Sequence, residues 1–222
     1  MRELLVASAD AHSDAMKATK AGIAELIDVG GAADVRMLQT QASIENLAVA
    51  TYTVALTLPF IGGSSALPVV KAFVTETRSQ HSQHALAFNA AVTRLGGKAQ
   101  HDPDPVLLKV VEKAKPTLTT PAAVVALAIE LEDGAAQTYV ANTAALADPN
   151  ARAVTASIMG VEAQHVAILR AVQALLAGGA PQLITLPPSP LSALPAAAGS
   201  VGFPNGFYST TAARPAAEGA LS

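Results

Sequence analysis

Glu162 and His165, in the stretch Val-Glu-Ala-Gln-His-Val, stand three residues apart inside a long apolar helical pattern. At about 100° of rotation per residue their side chains share one helix face, where a carboxylate and an imidazole can together hold a divalent metal. One Glu-x-x-His arises easily by chance, so this chemistry needs partners elsewhere. Upstream, Glu45 precedes Tyr52 by seven residues and Glu132 precedes Tyr139 by seven, and both runs end in Thr-Tyr. Each run is followed by a helical segment carrying histidine, His81 and His84 in the first and His165 in the second. The chain reads as two copies of one helical hairpin. Tyr52 and Tyr139 lie about two turns beyond their glutamates and share their faces, either hydrogen-bonding to the ligand shell or packing in the core.

The elements that must position these residues follow from periodicity and breakers. A helix is expected over residues 3–27, closed by Gly30-Gly31. A second runs over 34–58, capped by Asp34 and stopped by Pro59 and a Gly-Gly-Ser-Ser turn. Pro68 opens a third, whose apolar pattern continues through Phe73, Leu86, Phe88 and Val92 to Gly96-Gly97. A long connection containing Asp102-Pro103-Asp104-Pro105 and a short helix over 106–114 comes next. Helices over 121–146 and 151–176 complete the second half, joined by the tight turn Asp148-Pro149-Asn150. The fold class is therefore all-α: a ferritin-like four-helix bundle with a long crossover between two helical hairpins. Residues 1–30 form an N-terminal helix packed on the bundle, 31–178 the bundle, and 179–222 a Pro/Ala-rich extended tail. Within the tail, Gly202 to Tyr208 makes a small aromatic cluster, for which docking on the bundle is the simplest expectation.

The motifs Glu45…Tyr52, His81-x-x-His84, Glu132…Tyr139 and Glu162-x-x-His165 resemble ferritin-like domain proteins of the dimetal-carboxylate superfamily, over residues 34–176. The resemblance implies that the first and third bundle helices each contribute a Glu and the second and fourth a Glu-x-x-His. Carried over residue by residue, it implies metal ligation by Glu45, His84, Glu132, Glu162 and His165. His81 stands where the pattern has Glu, and is included as a sixth candidate ligand. A carboxylate bridges two cations through its two oxygens, whereas a neutral imidazole offers one lone pair and serves one metal. Three carboxylates instead of four neutralise two cations less completely. A divalent metal is the implied cofactor, iron or manganese by resemblance, with zinc or copper favoured by the extra imidazole. Glu76, Glu130, His12 and His101 read as structural or solvated.

Composition removes other classes. The 222-residue chain is 51% hydrophobic and 14% charged, with net charge −3 and no Trp, so neither an electrostatic footprint nor a stacking platform for nucleic acid is present. Cysteine is absent, which excludes disulfides, thiolate metal ligands and thiol nucleophiles. The uncharged runs over 47–70 and 171–213 are cut by Pro and Gly before they reach the about 20 residues of a membrane span. A cytoplasmic location is expected, or export if a signal peptide has been removed.

Three function classes remain. A redox dimetal centre would make the protein an oxidase or oxygenase. A centre without turnover would make it a metal-binding protein, and a degenerate one a structural or interaction bundle. Metal ions and a second copy of the chain are the expected partners; cage-type iron storage ranks lower.

Overall fold

The computed structural model describes residues 31–181 and 206–207. Four long helices dominate: α1 over residues 31–55, α2 Pro68–Arg94, α4 Pro121–Ala145 and α5 Pro149–Ala177. Between the halves lies the short crossover helix α3, Pro105–Ala114, followed by a 3-10 turn. There is no strand among the described residues. The expected helix over 3–27, His12 and most of the tail lie outside them.

Local chemistry accounts for the helix starts. Each of α2 to α5 begins with a proline, whose missing N–H costs nothing in the first turn. Asp104, Thr120 and Asp148 accept hydrogen bonds from the otherwise orphaned first-turn amides of α3, α4 and α5. At the end of α2, Gly96 adopts φ +79°, and Gly97 N–H returns to the Val92 carbonyl.

Two expectations are corrected here. Helix α1 ends at 55, not 58, because Thr57 and Leu58 bond back to Val54 and Ala55, tightening the chain ahead of Pro59. The chain then folds tightly on itself, and a Cβ at Gly62 would lie 2.1 Å from the Leu56 carbonyl oxygen. Asp34 lies inside α1 and does not cap it. Its carboxylate, 2% exposed, accepts from Ala147 and Asp148 N–H and so holds the α4–α5 turn against α1.

The crossover is tied down by side chains that satisfy its backbone. Asn46 and Asn89 both donate to the Gln100 carbonyl, Gln100 N–H returns to Asn89, and Asp104 N–H reaches the Ser43 carbonyl. The chain therefore passes from the first hairpin to the second alongside α1.

Two apolar clusters fill the bundle. The larger joins Leu38, Ile44, Phe88, Val92, Tyr139 and Ile158, and the smaller joins Tyr52, Ala55, Ile61 and Val74. Leu86, part of the apolar pattern of α2, is 69% exposed. Two residues, about 200° of rotation, separate it from His84, which puts it on the opposite side of α2. Along each long helix, the candidate ligands fall between the residues of these two clusters or next to them.

Candidate metal centre

Glu45 comes from α1, His81 and His84 from α2, Glu132 from α4, and Glu162 and His165 from α5. All six are buried, none more than 2% exposed. They form two overlapping groups: Glu45, His81, His84 and Glu162, and His81, Glu132, Glu162 and His165. In each group, one ligand-capable atom per residue lies within 4.8 Å of all the others. Glu162 and His81 belong to both.

His81 is oriented in a way that its type did not suggest. Its Nδ1 is 2.7 Å from Glu45 Oε2 while its Nε2 is 3.1 Å from Glu132 Oε1, so each ring nitrogen faces a different half of the centre. The ring stacks on Tyr52 at a centroid distance of 5.4 Å.

The other two histidines are held from outside. His84 Nε2 lies 2.7 Å from the Gly206 carbonyl oxygen and His165 Nε2 lies 2.8 Å from Gln80 Oε1. Both oxygens are acceptors, so both Nε2 atoms carry hydrogen and donate. In the neutral ring, each Nδ1 then presents its lone pair inward. His84 Nδ1 is 2.9 Å from Glu162 Oε1 and 3.5 Å from Glu45 Oε2, and His165 Nδ1 is 3.2 Å from oxygens of both Glu132 and Glu162. Lone pair against carboxylate is repulsive unless a cation or a proton lies between them. His84 Nδ1 and Glu162 Oε1 are close enough to pair as ions, yet neither finds a partner with hydrogen-bond geometry. Three carboxylates and three imidazoles converging in this way fit a divalent metal.

Without metal, protons perform the neutralisation. Burial alone would raise Glu45, but the adjacent His84 and His81 outweigh it and bring the carboxyl from 4.5 to about 2. Burial opposes charge on the imidazoles too, and is overcome by the glutamates. Beside Glu45 and Glu162, His84 rises to about 10; beside Glu132 and Glu162, His165 rises to about 9; His81 is also raised well above 6.5. Glu162 is raised, first by burial and then by Glu45. It is the carboxyl most inclined to keep a proton.

Two tyrosines complete the surroundings, each reaching across to the other half. Tyr52 donates to Glu132 Oε1 and Tyr139 to Glu45 Oε1. Phe207 packs edge-on against His84, with ring centroids 5.8 Å apart, so this residue of the tail meets the bundle at the centre. Gly206 sits closely on α2, where an added Cβ would come within 2.8 Å of Gln83 Oε1.

The family model for the ferritin-like domain matches residues 33–175. The chain belongs to this family. Neither a curated protein nor a solved structure matches it. The match runs from α1 almost to the end of α5, so it takes in all six clustered residues of this ferritin-like domain. Gly206 lies beyond it.

Sequence reasoning thus gathered the six candidate residues, and the fold brings all six together. Glu76, Glu130 and His101 are exposed, as expected. Gln80 and the Gly206 carbonyl went unnoticed, since a glutamine one residue before His81 and a backbone oxygen carry no local signal. Also unforeseen is a cavity of about 400 Å³ that reaches Glu45, Tyr52, His81 and Glu132 from one side. No helix among the described residues is long and apolar enough to cross a membrane.

Proposed function

We propose that this ferritin-like domain holds two divalent cations, one among Glu45, His84 and Glu162 and one among Glu132, His165 and Glu162, with His81 between them. The reading rests on one observation: two overlapping buried ligand groups in which His84 and His165 turn Nδ1 inward because their Nε2–H groups are held from outside. Iron or manganese held there would supply electrons for the reduction of O₂ or peroxide, making the protein an oxidase or oxygenase. The three carboxylates balance most of the cation charge, and Tyr52 and Tyr139 orient Glu132 and Glu45 by hydrogen bonding. Burial keeps bulk water away from the donors. The third imidazole favours zinc or copper more than an all-carboxylate centre would.

One observation favours a second reading. His81 bonds directly to both Glu45 and Glu132, which is how a protonated ring would complete a metal-free ion network. The protein would then be a structural bundle with a self-neutralised centre.

Elemental analysis of protein purified without an affinity tag, beside a Glu162→Ala/His165→Ala variant, separates the two. About two iron or manganese ions per chain, lost in the variant, are expected from facing-helix ligands of this type, together with O₂ consumption. About one zinc or copper would instead favour an asymmetric binding site in which His81 is a ligand. No metal after reconstitution of the folded protein would leave the structural reading.

A further inference from the structure

The cavity beside the centre has an inner end and a mouth. Glu45, His81, Glu132 and Ala135 are its buried or nearly buried end, whereas Val54, Thr57, Glu112 and Lys115 are exposed and mark where it meets solvent. Between these ends the walls are aliphatic: Leu47 and Leu58 from the first half, Leu107 and Val111 from α3, Leu127 and Leu131 from α4. On α4 the lining extends from Val124 to Ala135, eleven residue steps, or about 16 Å of helix at 1.5 Å per residue. The space is elongated, lies between α1 and α4, and is roofed by the crossover.

Its size and walls decide what can occupy it. An extended peptide would bring backbone N–H and C=O groups against walls that give them few partners, at a cost for each group left unpaired. A volume of about 400 Å³ falls within the range of small-molecule sites, about 300–1,000 Å³. At the mouth, Glu112 and Lys115 carry opposite charge and give no net attraction for an ionic group.

We propose that this cavity binds an elongated aliphatic molecule, with one end against Glu45, His81 and Glu132, as the organic substrate of the centre. The inference rests on the dimetal reading for the word substrate, but not for binding. Roofing by α3 gives the long crossover a role, since Leu107, Leu108 and Val111 close over the chain of the ligand.

The test is displacement of the fluorescent apolar dye N-phenyl-1-naphthylamine by decan-1-ol from the full-length protein, with sorbitol as a polar competitor and metal content measured on the same samples. Ala48→Phe and Ala128→Phe fill the cavity from opposite walls, while Val140→Phe adds the same bulk on an exposed face. Decan-1-ol is expected to displace the dye from the wild type and Val140→Phe, and to bind about tenfold or more weakly to each filled variant, a difference of about 1.4 kcal/mol. Helix content by circular dichroism and metal content should be unchanged in all three variants. Equal binding to wild type and both filled variants, or no binding to the wild type, would overturn the proposal. Metal bound without decan-1-ol sinks the cavity and spares the dimetal reading; decan-1-ol bound by protein that takes up no metal on reconstitution supports the cavity and sinks that reading.

Discussion

Tyr52 on α1 donates its hydroxyl to Glu132 on α4, in the other half of the bundle, and not to Glu45 on its own helix. Seven residues put Tyr52 about 10.5 Å along the helix axis from Glu45, too far for a phenol to turn back. Helix α4 runs antiparallel beside α1, so the same offset brings Tyr52 level with Glu132 and Tyr139 level with Glu45. The repeated Glu…Tyr spacing is thereby a cross-brace between two halves.

Removing one brace should be measurable without disturbing packing. Tyr52→Phe keeps the ring against His81 and deletes only the donor to a carboxylate. A hydrogen bond to a charged group contributes about 1.5–3 kcal/mol, and that loss is expected in urea unfolding at pH 7. Tyr139→Phe should act alike through Glu45. Unchanged midpoints in both variants would show that the braces contribute nothing.

Gln80 holds His165 from behind, and its effect should be one-sided. In Gln80→Leu the Nε2–H of His165 loses its acceptor, while the Gly206 contact to His84 is untouched. Outer partners of this kind change metal affinity by about 10–100-fold. Competition with a chelator should show one weakened and one unaltered metal per chain; equal weakening of both would argue against separate halves.

The metal-free protein should depend on pH in a defined direction. His84 and His165, at about 10 and about 9 in the folded protein against 6.5 unfolded, contribute stability that is complete below 6.5 and lost as pH rises through 9 to 10. Glu45, at about 2 against 4.5, contributes stability that is complete above 4.5 and lost as pH falls toward 2. Urea midpoints of the metal-free protein should therefore be greatest between pH 4.5 and 6.5 and fall toward pH 10. Bound metal must displace the imidazole protons, so its stabilising effect should instead grow from about pH 5 to about pH 8. A metal-free midpoint that climbs steadily to pH 10 would contradict the charged network.

Asp34 offers a test of the fold away from the centre. Asp34→Ala leaves the Ala147 and Asp148 amides without an acceptor in a part-buried turn. A loss of about 1–3 kcal/mol, with metal content retained, is expected from urea unfolding followed by circular dichroism. Stability within about 0.5 kcal/mol of wild type would mean that water replaces the carboxylate fully.

The sequence by itself determined the helical order, the crossover and the six clustered residues. These rest on local physics: proline and Asp or Thr at helix starts, glycine at helix ends, and ligand types recurring at spacings that keep them on one face. It did not determine which apolar residues face inward in detail, as Leu86 shows, because α2 has polar and apolar residues on both faces and only its neighbours select the buried one. The role of Asp34 turned on the approach of the α4–α5 turn, more than a hundred residues away in the chain. Tertiary structure alone decided that His81 presents one nitrogen to each half, that Gly206 and Gln80 orient the other two histidines, and that an aliphatic cavity reaches the centre. Each of these depends on how far apart whole helices stand and how they are rotated, quantities that arise from packing and leave no mark on the spacing of residues along the chain.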